Sequence, residues 1–217
     1  MIETVIFDLD GVIIDSEPVH FTLEKQMFDE LNIRVSDEEH QSFAGMSSQN
    51  MWDRLVKNFK LPYAAEALVN KKQMAYMNYL QKEYDLRPIP NIPELIKDLF
   101  ENDFKLAIAS SSRLDVIDAV LTKFNLFNFF MEKVSGASLR NSKPDPEIFL
   151  VTAELLYSRP EECLVIEDSE NGVKAAKAAS MKCIGFRNPN SGAQDLSRAD
   201  IIINSFEEIS AEKIRSF

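Results

Sequence analysis

The stretch "VIFDLDGVIIDS", residues 5–16, sets the reading of the whole chain. An apolar run, Val5-Ile6-Phe7, meets Asp8 and Asp10, then Gly11, three more apolar residues and Asp15. Residues 3–8 read as a buried strand, so both carboxylates stand where that strand ends. Crowding carboxylates beside a hydrophobic strand is costly unless they are paired or bind a metal. The surrounding sequence supplies the partners.

Downstream, residues 16–84 carry helical periodicity. "SEPVHFTLEKQMFDELNI" opens with Ser16 as N-cap and Pro18 in its first turn, with Val19, Leu23, Met27 and Leu31 at helical spacing. "SSQNMWDRLVKNF" places Trp52, Leu55, Val56 and Phe59 on one face, and "ALVNKKQMAYMNYLQKEY" does the same for Val69, Tyr76 and Leu80. Such apolar stripes predict a small helical bundle. From about residue 85 the pattern becomes strand–helix alternation, with strands over "KLAIAS", "MEKVSG", "CLVIED", "KCIGF" and "ADIIIN". Near-continuous apolar strands alternating with helices predict a parallel sheet covered on both faces. The expected organisation is therefore an α/β core over 1–15 and 85–217, interrupted by a helical module over 16–84. A module inserted after the first strand leaves the sheet at its carboxyl edge, where ligands bind in open α/β sheets.

Bulk properties narrow the function. The 217 residues are 45% hydrophobic and 27% charged, ordinary values for a water-soluble globular chain. No apolar run reaches the ~20 residues of a membrane helix. The start, Met1-Ile2-Glu3, lacks the basic region of a secretory signal. Cys163 and Cys183 lie in apolar strand-like runs and read as buried reduced thiols. A cytoplasmic location is expected. The net charge of −11 and the lack of a Lys/Arg-rich run argue against nucleic acid. A small phosphorylated molecule remains open, because cations and helix ends can be focused locally. The default oligomeric expectation is a monomer.

Four strand-like runs or the loops after them end in polar residues: "FDLDG", "IASSS", "NSKPDP" and "VIEDS". If the strands are parallel, Asp8, Asp10, Ser110, Lys143, Glu167 and Asp168 converge at one edge. That set suits phosphoryl transfer. An Asp carboxylate serves as covalent nucleophile, Mg²⁺ takes carboxylate and carbonyl oxygens, and Lys143 supplies a point charge. Ser110 and the residues after it, Ser111, Ser112 and Arg113, are candidate phosphate contacts. Each residue alone reads as a turn, cap or solvated side chain; their joint order at strand ends carries the argument.

That order resembles the haloacid dehalogenase superfamily, in its phosphatase branch. "DLDGV", "ASSS", "SKPDPEIF" and "IEDSENGVKAAKAA" are similar to its four motifs, and the likeness spans essentially the whole chain. It implies a Rossmann-like core with a helical cap, Asp8 as nucleophile and Mg²⁺ ligand, and Asp10 as general acid/base with its carbonyl on the metal. Ser110 and Lys143 would hold the phosphoryl group. Asp168 would bind Mg²⁺, and Glu167 would ligate it or hydrogen-bond behind it. Asp15 and His20 match positions near the core–cap hinge. Asp10 disfavours dehalogenase and phosphonate-hydrolase chemistry, which lack that residue. The nearest subgroup resembles β-phosphoglucomutase-like phosphatases. In its cap loop, "FAGMSSQNMW", Gly45 is kept, but Ser48 stands where a phosphate-gripping Arg is expected. The implied activity is thus a Mg²⁺-dependent phosphatase on a small phosphorylated metabolite. A mutase of the same subgroup and a phospho-acceptor signalling module are the alternatives.

Overall fold

The computed structural model describes residues 1–43, 46–82 and 86–217. The chain divides into two compact units, one of Met1–Asp15 with Arg87–Phe217 and the other of Ser16–Leu86. The first unit contains a six-stranded parallel sheet: β1 (Thr4–Phe7), β2 (Lys105–Ser110), β3 (Glu132–Ser135), β4 (Cys163–Glu167), β5 (Lys182–Phe186) and β6 (Ile201–Ile203). Their spatial order is β3-β2-β1-β4-β5-β6, the doubly wound, Rossmann-like order. The order reverses at β1, whose neighbours are β2 and β4. A crevice at such a reversal lies outside the carboxyl ends of the strands, and Asp8 follows directly on Phe7 there.

The strands are buried on both faces, as their continuous apolar runs require. Ile6, Ala109 and Val165 share a cluster with Phe149 and Ala153 of α7 (Glu147–Leu155) and Val173 and Ala176 of α8 (Glu170–Ala178). The alternate residues Val5, Phe7, Leu106, Ile108, Leu164 and Ile166 are equally buried and point the other way. The helices between strands are α5 (Ile92–Glu101), which packs on β2, and α6 (Leu114–Lys123), which packs on β3. Among the described residues no helix is long and apolar enough to cross a membrane.

The second unit holds α1 (Glu17–Glu30), α2 (Asp37–Gln41), α3 (Ser48–Phe59) and α4 (Ala65–Lys82). Ser16 stands at the α1 N-cap position without a side-chain capping bond, with Pro18 in the first turn. Trp52 is fully buried in a cluster with Met27, Phe28, Phe43, Leu55 and Leu68. The α2 turn was not anticipated; five residues are too few to show a period. The buried face of α4 also differs from the expected one: it runs Ala65, Leu68, Lys72, Tyr76 and Leu80, so a lysine occupies the middle of an apolar stripe. Lys72 donates to Glu24 of α1, and Glu24 hydrogen-bonds His40 of α2 at 2.6 Å. Pairing is what makes burial of these charges affordable.

Candidate active site

Sheet register brings the first two carboxylates together. Ile6 is level with Val165, so Asp8 and Glu167, two residues on in each strand, fall side by side. The Asp8 backbone N–H continues the ladder to the Ile166 carbonyl at 3.0 Å. Lys143, from the loop before α7, reaches both: Nζ lies 2.5 Å from Asp8 Oδ1 and 2.7 Å from Glu167 Oε1, and it also donates to the Ala109 carbonyl at 3.1 Å. One ammonium thus ties the ends of β1, β2 and β4.

The electrostatics follow from burial. Asp8, Glu167 and Asp168 are all buried. Desolvation pushes the Asp8 carboxyl up to about 7; Lys143 opposes the rise, while Glu167 and Asp10 add to it. Burial works against the Lys143 charge, but Asp8 and Glu167 outweigh it and hold the ammonium above its usual range. The strand ends are therefore short of positive charge.

Asp10 sits on the turn beyond. Its carboxylate accepts from Ser112 Oγ at 2.7 Å, and Ser112 N–H donates to Ser110 Oγ at 3.0 Å. Gly11 takes φ +79, a conformation glycine adopts without penalty. A Cβ there would lie 1.9 Å from Asp168 Oδ2, so the Asp168 carboxylate rests directly on the bare Gly11 backbone.

Glu167 is hydrogen-bonded through both carboxylate oxygens. One oxygen holds Lys143, and the other accepts from Ser169 N–H (3.0 Å) and Ser169 Oγ (2.9 Å) at the start of α8. Its carboxylate fills the space that a side chain at Gly172 would need. Among the described residues no three His, Cys, Asp or Glu side chains form a group that could hold a metal ion. A Mg²⁺ site does not require three, because this ion keeps several waters and takes one or two carboxylates. Asp8 and Asp168, with the Asp10 carbonyl, would offer such an ion oxygen donors only, and the charge deficit at Asp8 is what a divalent cation would relieve. The residues fit Mg²⁺.

The other expected contacts are sorted differently. Ser110 is buried at the end of β2, beside Asp8's neighbours. The Ser112 hydroxyl donates to Asp10. Arg113 is not brought into the cluster: its guanidinium is exposed and paired with Asp115 at 3.1 and 3.0 Å. Ser111 is exposed at the start of the same turn. His20 and Ser48 belong to the second unit, where His20 packs on Tyr76 with ring centroids 4.4 Å apart and Ser48 Oγ accepts from Lys72 at 3.3 Å. Gly45 lies outside the described residues.

Sequence reasoning missed Asn188 and Ser191, both buried in the loop after β5. Asn188 Nδ2 donates to the Gly11 carbonyl at 3.0 Å, and Ser191 Oγ donates to Asp168 Oδ2. The available signal was a polar cluster, "NPNSG", at the carboxyl end of another parallel strand.

A family model described as haloacid dehalogenase-like hydrolase matches residues 5–186. β-Phosphoglucomutase of Bacillus subtilis is 28% identical over 215 residues, covering 97% of this chain and 92% of its own. The phosphorylated carbohydrates phosphatase of Thermotoga maritima is 28% identical over 219 residues, covering 95% and 99%. The crystal structure of β-phosphoglucomutase from Clostridium difficile aligns with a TM-score of 0.84 at 27% identity, over 100% of this chain and 96% of that one. With most of the chain inside the family model and its four motifs gathered at one sheet edge, the protein belongs to the haloacid dehalogenase-like hydrolases.

Proposed function

We propose that the protein is a Mg²⁺-dependent phosphatase that hydrolyses a small phosphorylated metabolite, a sugar phosphate first among the candidates. The observation that carries this reading is the pairing of Asp8 with Asp10. Asp8 is held by Lys143 and Asp10 by Ser112, so two carboxylates two residues apart have separate partners and separate tasks. Asp8 attacks phosphorus, the bond to the ester oxygen breaks, and Asp10 gives its proton to the departing oxygen. Water then attacks the aspartyl-phosphate, Asp10 takes the water's proton, and phosphate leaves with Asp8 restored. Lys143 offsets the negative charge of Asp8 and of the transferring group. Bound Mg²⁺ would supply further positive charge at the phosphoryl oxygens. A polar residue at position 110, buried at the strand end, orients the group from the other side.

Hydrolase is preferred over mutase because of the second unit. A mutase must hold two phosphates in turn, which calls for a second uncompensated cation. Position 48 is serine, and the lysine bonded to it, Lys72, is neutralised by Glu24. Lys71 is bonded to Glu30, while Arg54, over the Phe43 ring, keeps its charge. The β-phosphoglucomutase relatives keep the mutase as the second reading. Two measurements decide. Asp8→Asn is expected to abolish phosphate release from a generic aryl phosphate; full retained turnover overturns the assignment. With β-glucose 1-phosphate, free phosphate supports hydrolysis, whereas glucose 6-phosphate without phosphate release identifies a mutase.

A further inference from the structure

The loop after β5 makes a set of contacts that the phosphatase chemistry described above does not use. Ser191 Oγ donates to Asp168 Oδ2, the same oxygen that lies against Gly11. Asn188 Nδ2 donates to the Gly11 carbonyl at 3.0 Å and lies 3.5 Å from Asp15 Oδ1. Asn190 Nδ2 holds the other Asp15 oxygen at 2.5 Å. The loop is itself braced: Asn190 N–H donates to Asn188 Oδ1 at 2.9 Å, and Ser191 N–H to the Asn188 carbonyl at 3.3 Å. Gln194 closes the circuit, donating to the Ser191 carbonyl and accepting from Glu170 N–H, both at 3.0 Å, at the start of α8.

Asp168 is thereby clamped from two sides, by the bare backbone of Gly11 and by the Ser191 hydroxyl. A buried loop residue with a short polar side chain is a poor investment for stability, since its hydrogen bonds mostly replace those with water. Its value lies in fixing where a carboxylate points. Partners that hold a metal-binding carboxylate in place set metal affinity, and their loss typically costs 10–100-fold.

We propose that the Asn188–Ser191 turn is a positioning clip: Ser191 orients the Asp168 carboxylate for Mg²⁺, and Asn188 and Asn190 lock the Gly11–Asp15 turn, which directly follows Asp10, into the same frame. The proposal rests on Asp168 being a metal ligand, as in the function proposed above. Ser191→Ala removes the hydroxyl and leaves the clip's backbone in place. Its Mg²⁺ dissociation constant, measured by calorimetric titration without substrate, is expected to rise about 10-fold or more. Its metal-free thermal midpoint is expected to fall by no more than about 4 °C. Ser191→Thr, which restores a hydroxyl, is expected to recover the affinity. Ser191→Cys, nearly isosteric with a weaker donor, is expected to fall between and serves if the alanine variant fails to fold. Asp168→Asn is the control. If Asp168→Asn loses Mg²⁺ and Ser191→Ala and Ser191→Cys bind it within about twofold of the parent, the clip is refuted and the ligand assignment stands. If Asp168→Asn binds Mg²⁺ like the parent, the ligand assignment fails and the clip falls with it.

Discussion

Replacing Glu24 by Gln tests the buried ion cluster of the second unit. Glu24 Oε1 accepts from Lys72 and Oε2 pairs with His40 at 2.6 Å, with each of the three side chains about nine-tenths or more buried. Burial alone would raise the Glu24 carboxyl, but the hydrogen bond from His40 and the charge and hydrogen bond of Lys72 outweigh it and hold the pKa at about 2, against 4.5 for a free side chain. That lowering corresponds to about 3 kcal/mol of stabilisation at neutral pH. Glu24→Gln keeps the shape and deletes the charge facing Lys72, so it is expected to cost about 3 kcal/mol, in line with breaking other buried pairs. Lys72→Met is expected to cost a similar amount. The double variant is expected to cost less than the two together by about 2 kcal/mol, because no buried charge is then left alone. The assay is built in. Trp52 is the single tryptophan, fully buried in the second unit, so its fluorescence during urea unfolding reports that unit. The pH arm has a defined sign. Because the folded pKa lies below the unfolded one, the stabilisation is complete above about pH 4.5 and is lost as pH falls toward about 2. Glu24→Gln lacks that component. A Glu24→Gln protein within about 0.5 kcal/mol of the parent at neutral pH refutes the argument.

Two further outcomes are expected. Ser112→Ala removes the 2.7 Å bond that holds Asp10 and should lower kcat about tenfold with KM little changed; equal kcat in the variant removes Ser112 from the positioning of Asp10. Burial pushes the Cys163 thiol up to about 12 and raises Cys183 likewise. Neither should react with a disulfide reagent near pH 8 in the native protein, and both should after denaturation; rapid native labelling of either would contradict its placement in the sheet.

The site was legible where a polar residue ends an apolar run. Asp8, Ser110 and Glu167 each close a strand of continuous hydrophobic residues, and parallel pairing then forces them to one edge. Ser112 and Arg113 were not separable by sequence. Both follow the same strand, but a short hydroxyl meets Asp10, while a long guanidinium finds Asp115 two residues on and stays in solvent. Glu24 and Lys72 were opaque for a different reason. Helical periodicity marks where apolar residues face, and a charge on that face is buried only when a partner arrives from elsewhere. The partners here are 48 residues apart.

The sequence alone determined the parallel α/β core, the helical insertion after its first strand and the Asp8–Asp10 pair, because strand burial, helical period and motif order are all local patterns. Tertiary structure alone decided that Lys143 binds Asp8 and Glu167 together, that Glu167 turns to Ser169, and that Ser191 holds Asp168 over Gly11. These are choices among partners brought together from loops that follow four different strands, and only the assembled sheet edge sets which donor lies within reach of which carboxylate.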